Sequence, residues 1–316
     1  MSDILTVGLQ KRIQDASGYF KRLGTRIYNS RESYFLLAPY AVLFTTFTII
    51  PVLMSMGLSF TYYNILEPPK WVGWLNYVNL LLNDEIFIIA VQNTLLFALF
   101  SGLVGYLMSL LFAWMINELP AKIRSVFVLI FYAPTVTFAT FQIFQIIFNG
   151  DAQGLFNAKL IEFGIIQQPI NWLYDPNYMK YVVIAVLLWM SLGINFLAFI
   201  AGLQGVDRSL YEAGYIDGIK NRWQELWYIT LPSMKPQLMF GAVMSITTSF
   251  TVMFQIVWLV GDPSTDYAAH TIVAHLQDYG YKRFDMGYAS AIATLLFFMM
   301  VFVNRIVQRL LKKVGT

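Results

Sequence analysis

No cysteine occurs among the 316 residues, and that one absence removes disulfides, thiolate metal ligands and thiol nucleophiles together. Charge is scarce too: Asp, Glu, Lys and Arg make up 12% of the chain, against about 25% in an ordinary soluble domain. The phosphate cradle Gly-x-x-x-x-Gly-Lys-Ser/Thr is missing, as are the Gly-x-Ser-x-Gly elbow and the His-Glu-x-x-His metal pair, so the sequence offers no motif for nucleotide binding or hydrolysis. Only two histidines are present, His270 and His275. A separation of five turns them to different faces of a helix and argues against a shared metal.

What is present is apolar. Hydrophobic residues make up 58% of the chain, with a mean hydropathy of +0.58, and 26 Phe, 19 Tyr and 8 Trp supply the aromatics that gather at membrane interfaces. The pattern is that of an all-α, polytopic membrane protein. Apolar runs fall at 34–60, 86–117, 126–148, 181–203, 237–260 and 286–303. The first contains Pro39 and Pro51 and reads as a kinked helix; the second exceeds the roughly 20 residues that cross a bilayer core. Residues 1–33 lack the cleavable pattern of a secretory signal and read as a solvated basic segment, so the first run is retained as a membrane helix. With alternate loops on opposite sides, 16 of the 21 Lys and Arg fall on the side of both termini and the 204–236 insert. The positive-inside rule makes that side cytoplasmic, with six spans between. The expected organisation is a basic segment 1–33, a six-helix domain 34–311 and a tail 312–316.

None of the six runs contains Asp, Glu, Lys or Arg, which argues against coupling to protons or sodium through buried charges. Their polarity is uncharged. Ser245, Thr248, Thr251 and Gln255 recur at steps of three, three and four and share one helix face; Asn93, Gln142, Gln145 and Asn195 add amides. Two readings stand: hydrogen bonds between helices, or a wet cavity for an uncharged, hydroxyl-rich ligand such as a sugar. Ser101, Gly105, Ser109 and Ala113, every fourth residue, form a small-residue stripe read as helix packing.

The insert 204–236 interrupts this apolar text. Ser209-Leu-Tyr-Glu212 has the form of a capping box that would start a helix at Ser209. Gly218 would end it in a left-handed conformation, and a second short helix carrying Trp223, Leu226 and Trp227 would run to Pro232. Here the chain resembles a known family. The pattern Glu-Ala-Ala-x-x-x-Gly, nine residues, then Ile-x-Leu-Pro marks membrane subunits of bacterial binding-protein-dependent ABC importers; the chain reads Glu212-Ala213-Gly214, three residues ending in Asp217, Gly218, ten residues, Ile229-Thr-Leu231-Pro232. It departs by Gly214 for the second alanine and by one extra residue before Ile229. Asp217, the Ile-Thr-Leu-Pro and the segment Trp71-Val-Gly73-Trp-Leu-Asn76-Tyr77 look like the carbohydrate branch, similar to the maltose and glycerol-phosphate permeases.

The resemblance implies a type I ABC importer permease fold in the bacterial cytoplasmic membrane. It implies that Glu212, Ala213, Gly214, Asp217, Gly218, Ile229, Leu231 and Pro232 form a coupling loop that docks on an ATPase. The chain itself would be no enzyme and bind no cofactor, with ATP and Mg held by the partner ATPase dimer. A second permease subunit, an extracytoplasmic solute-binding protein and a sugar substrate, an oligosaccharide or related sugar, would complete the system; no nucleic acid is expected. A carrier or channel acting alone, or a non-transporting scaffold, are the competing classes.

Overall fold

The computed structural model describes residues 29–136, 140–251 and 253–311. The expected 312–316 tail and most of the 1–33 segment lie outside the described residues. By its internal contacts the chain divides into two units, Met1–Gly57 and Leu58–Thr316. The first is dominated by helix α1 (Arg31–Leu58), which ends at the start of the second. Pro39 lies inside it and a wide π turn covers Thr45–Ile49. Pro51 lacks the N–H that would pair with the carbonyl four residues back, so the wide turn falls where the ladder is interrupted.

The second unit opens on a short ribbon, β1 (Thr61–Tyr62) antiparallel to β2 (Lys70–Trp71), followed by α2 (Leu75–Val78). Asn76 is buried and its Nδ2 donates to the carbonyls of Ser59 and Thr61, both at 2.9 Å. Phe60 packs its ring against Trp71, Trp74 and Tyr77. The Trp71–Tyr77 segment is thus a packing device that closes the start of this unit.

Then come α3 (Glu85–Asn117), α4 (Ala121–Val136), α5 (Thr140–Ile147), α6 (Leu155–Glu162), α7 (Pro176–Ser191) and α8 (Ile194–Gln204). The insert supplies α9 (Arg208–Ile216), α10 (Arg222–Glu225) and α11 (Leu231–Ser233). The chain ends in α12 (Lys235–Thr251), α13 (Met253–Val260), α14 (Ile272–Gln277) and α15 (Met286–Leu311). Among the described residues four stretches are long and apolar enough to cross a membrane: α1, α3, Pro176–Gln204 and α15. The expected third and fifth spans fall on α4 with α5 and on α12 with α13. Helices outrun the apolar runs at several ends: α4 begins at Ala121 and takes in Lys122 and Arg124, and α15 continues to Leu311. A helix satisfies its own backbone and needs no apolar side chains once it leaves the hydrocarbon.

Helix α3 passes through all three core clusters. It gives Phe87 and Ala90 to one with Ile272 and Ile292, Phe97 to one with Met179, Val183 and Ile256, and Tyr106, Ala113 and Ile116 to one with Phe196, Phe199 and Leu238. Ser101, Gly105, Ser109 and Ala113 are all buried, as a packing stripe requires. Ser109 Oγ donates to the Gly105 carbonyl at 2.7 Å and reaches that of Ser191 at 3.3 Å. A Cβ on Gly105 would stand 2.6 Å from the Ser191 Cβ. Gly105→Ala should therefore destabilise the protein by roughly 1–3 kcal/mol through overpacking, and Ser191→Gly should restore part of the loss; thermal unfolding in detergent measures both.

Candidate functional site

One cavity collects polar groups from five helices. About 180 Å³ in volume, it is lined by Ser101 of α3, Leu187, Met190 and Ser191 of α7, Gly193 with Ile194 and Asn195 of α8, Thr248 and Ser249 of α12, and Gln255 of α13. No charged side chain lines it. Of the residues expected on a substrate path, Asn195, Thr248 and Gln255 meet here. Asn195 Oδ1 and Gln255 Oε1 are buried with no hydrogen-bond donor among the described residues, at a cost of about 1–3 kcal/mol for each acceptor left unmatched. They are open positions for a donor such as a ligand hydroxyl.

The other candidates do different work. Asn93 Nδ2 donates to the carbonyls of Tyr267 (3.1 Å) and His270 (2.9 Å), so it fastens the 261–285 segment to α3. Gln145 Nε2 donates to the Trp258 carbonyl at 2.6 Å and bridges α5 to α13. Gln142 is exposed, and Ser245 Oγ donates to the Gly102 carbonyl at 2.7 Å, a contact between helices. The side chain of Thr251 lies outside the described residues. Ser191 and Gly193 were not expected here, Ser101 was expected only to pack, and Ser249 lies beside the polar face expected of the fifth run. The available signal was Ser191-Leu-Gly193-Ile-Asn195, where what reads as one span breaks into α7 and α8 beside the cavity. Irregular backbone at such depth is tolerated where it lines a cavity.

The insert folds as two short helical pieces, with changed capping. Asp207, not Ser209, is the N-cap of α9: its Oδ1 accepts from the Ser209 amide at 3.0 Å, which holds its carboxyl below the usual range. Asp is as good a cap as Ser and stands in the extended conformation a cap needs. Glu212 is therefore freed from capping; it is exposed. The reciprocal caps occur at the second piece, where Asn221 Oδ1 accepts from the Gln224 amide and Gln224 Oε1 from the Lys220 amide. Gly218 does end α9, at φ +94°, with the Ile219 amide returning to the Gly214 carbonyl at 2.9 Å.

Helix α10 runs on through a π turn, Leu226–Thr230, into α11. Pro232 is not the limit. It lies inside the continuous helical path just after the π turn, as Pro51 does in α1, and the break comes at Met234. Ile229 and Leu231 are buried, and Leu226 packs against the inner core cluster rather than standing out. Trp227 and Tyr228 are exposed, whereas Trp223, though mostly exposed, lies 5.0 Å from Trp114 of α3. Glu225 is buried, accepting from Tyr215 Oη at 2.7 Å and Arg222 Nη1 at 3.3 Å. Arg222 also reaches Glu118 at 3.4 Å. These groups line a polar crevice of about 610 Å³ with Arg124, Arg208 and Thr230.

Segment 261–285 carries a buried polar chain. His270 precedes α14 and is not on it, so helical spacing does not separate the two histidines: His270 Nε2 lies 3.2 Å from His275 Nδ1. His275 Nε2 lies 2.9 Å from Asp84 Oδ2, which also accepts from Tyr288 Oη at 2.9 Å. Among the described residues no three ligand groups converge as a metal site. Burial alone would raise Asp84, yet the Phe87 amide, His275 and Tyr288 hold it below the ordinary carboxylate range. An ionised Asp84 only accepts, so His275 carries its proton on Nε2, His270 donates from Nε2, and His270 Nδ1 is left without a donor, as observed. Burial, then repulsion from His275, lowers His270 from 6.5 to about 4; burial likewise lowers His275, with Asp84 opposing it. A histidine with a depressed folded pKa binds fewer protons folded than unfolded, so its stabilisation is complete above 6.5 and is lost as pH falls toward 4. Hydrogen-exchange protection of the 264–279 amides should fall across that window, and less steeply in His270→Phe.

Residues 105–315 match the family described as binding-protein-dependent transport system inner membrane component. The lactose transport system permease protein LacF of Rhizobium radiobacter is 32% identical over 226 residues, 71% of this chain and 74% of that protein. The arabinooligosaccharides transport system permease protein AraP of Bacillus subtilis is 31% identical over 280 residues, 88% and 87% of the two chains. A solved bacterial ABC transporter involved in import of the acidic polysaccharide alginate shares the fold, with a TM-score of 0.77 and 24% identity over 93% of this chain and all of that one. The chain belongs to the inner membrane components of binding-protein-dependent transport systems, the ABC transporter permeases; it is not an enzyme, and ATP hydrolysis resides in a separate subunit.

Proposed function

We propose that this chain is one of two permease subunits of an ATP-driven importer in the bacterial cytoplasmic membrane, forming half the path of a neutral oligosaccharide. The carrying observation is the uncharged cavity with two buried, donorless carbonyls, Asn195 Oδ1 and Gln255 Oε1. Sugar hydroxyls would supply the donors, and the missing charge suits a neutral ligand. At about 180 Å³ the cavity falls below the roughly 300–1,000 Å³ of a pocket for a drug-sized ligand, which supports completion by a second subunit. The relatives' names, lactose and arabinooligosaccharides, support a neutral sugar; the solved alginate transporter, bound to a periplasmic protein carrying an alginate pentasaccharide, supports oligosaccharide size alone, because alginate is acidic.

In this reading six helices span the membrane with both termini and the Glu212–Pro232 loop in the cytoplasm, within a transmembrane domain 34–311. A partner ATPase dimer holds ATP and Mg; this chain binds no cofactor. Glu212, exposed beyond a helix closed by Gly218, meets the ATPase, supported by Ala213, Gly214, Asp217, Ile229, Leu231 and Pro232. A solute-binding protein delivers substrate on the opposite face, at loops 61–85, 149–178 and 261–285. ATP-driven closure of the dimer moves the knob and rocks the helices, opening the cavity outward.

In the reconstituted complex, Asn195→Leu or Gln255→Leu should lower substrate uptake roughly tenfold, as loss of about 1–3 kcal/mol of polar pairing predicts, with basal ATPase activity retained. Unchanged uptake in both would remove the cavity from the path. Glu212→Arg and Gly218→Val should abolish substrate-stimulated ATPase activity and uptake, Gly218→Val because a β-branched residue does not tolerate φ +94°. Transport by the chain alone, without ATP, would favour a lone carrier or channel.

A further inference from the structure

Helix α3 is clasped at both ends by segments that lie far apart in sequence. At about 1.5 Å per residue its 33 residues extend roughly 50 Å, longer than the 40–45 Å of a whole bilayer. At its C-terminal end Trp114 meets Trp223 at 5.0 Å and Glu118 meets Arg222 at 3.4 Å, both partners on the second helix of the insert. That helix does not move independently of α9. The buried Glu225 carboxylate accepts from Tyr215 of α9 and from Arg222, and Tyr211 Oη lies 2.9 Å from Thr230 Oγ1. A buried carboxylate is costly to unpair, so the insert behaves as one body.

At the N-terminal end the partners belong to segment 261–285. Asn93 holds the carbonyls of Tyr267 and His270, Thr94 Oγ1 accepts from the Ile272 amide at 2.9 Å, and Asp84 takes His275 and Tyr288. Asp266 and Tyr267 stand at φ +49° and +56°, a left-handed conformation that non-glycine residues keep only where their surroundings impose it. Asn93 is part of that imposition. Between the two clasps α3 widens into a π turn at Leu99–Val104, which carries Ser101 into the cavity wall and takes Ser245 on the Gly102 carbonyl. A π turn is a break in the regular ladder at which a helix can shift or bend.

We infer that α3 is the member that transmits movement of the cytoplasmic insert to the outer segment 261–285, with Trp114 and Glu118 as positioning residues at one end and Asn93 and Thr94 at the other. This rests on the reading of the insert as the ATPase-docking loop. When the docked loop is displaced, α3 is drawn with it about the Leu99–Val104 turn. The Tyr267–His270 backbone, held by Asn93, then moves with it. Both ends are defined side-chain contacts on one continuous helix, and coupling between them is what the experiment below measures.

The chain has no cysteine, so labelling read on this chain after the subunits are separated reports the single introduced thiol. Thr265→Cys in the assembled importer, in vesicles, would be labelled with a membrane-impermeant maleimide, with the ATPase at rest and trapped with ATP and vanadate. The labelling rate should depend on the trapped state, and Trp114→Leu with Glu118→Gln should shrink that dependence fivefold or more, the scale of a coupling of about 1–3 kcal/mol, while ATP hydrolysis continues. Thr94→Val should shrink it from the other end. If Trp114→Leu prevents assembly, Glu118→Gln, at an exposed pair, carries the test alone, with a smaller expected loss. A nucleotide response that survives all these substitutions overturns the inference and leaves the importer reading intact. No response in the parent protein would overturn both.

Discussion

Close approach of helix backbones along one face of α3 is the constraint on which the rest depends. Lipid is as apolar as a leucine side chain, so burying aliphatic surface against a neighbouring helix yields little in a membrane; packing contacts and hydrogen bonds between helices must supply the cohesion. Small residues at every fourth position let neighbouring helices come close enough for both. At Gly105 there is no room for a methyl group beside Ser191, Ser109 reaches the Ser191 carbonyl, and Ser245 reaches that of Gly102. Dispersion acts over a few tenths of an ångström, so a stripe of larger residues would lose these contacts and separate the polar groups.

The same closeness creates the cavity. Where α7 stops at Ser191 and α8 resumes at Ile194, the backbone departs from the helical ladder and leaves a gap. The gap is bounded by the π turn of α3 and by the polar face of α12 and α13. Two irregularities on facing helices thus replace what a regular bundle would fill with side chains. The unpaired carbonyls of Asn195 and Gln255 are tolerable only where a donor can enter, since a sealed polar void would cost stability with no return.

Much of this was legible in periodicity. The stripe from Ser101 to Ala113 and the shared face of Thr248 and Gln255 follow from helical spacing, and Gly218 from the need for a left-handed residue. Legibility failed where a side chain had two plausible partners. Asn93 and Gln145 have the same chemistry as Asn195, but their amides reach carbonyls on distant segments, Tyr267 with His270 and Trp258, and composition cannot choose among carbonyls. Ser209 lost the cap to Asp207 because both are good caps two residues apart. The histidine pair was misjudged by placing both residues on one helix when a cap at Thr271 separates them.

The insert's two departures from the family pattern meet in the structure, where Ile229 lies against residue 214. An added residue in a helix shifts everything after it by about 100°, which would turn Ile229 and Leu231 away from the core. The π turn at Leu226–Thr230 takes in one residue more than an α turn, so both side chains remain buried. A wider turn also projects further, and Ile229 now presses onto α9: a Cβ on residue 214 would lie 2.6 Å from Ile229 Cδ1 and 3.1 Å from Ile219 Cδ1. An alanine there would require the ends of the Ile229 and Ile219 side chains to shift. Gly214 lets the Ile229 side chain pack directly on α9, and Glu212, two residues earlier, is exposed.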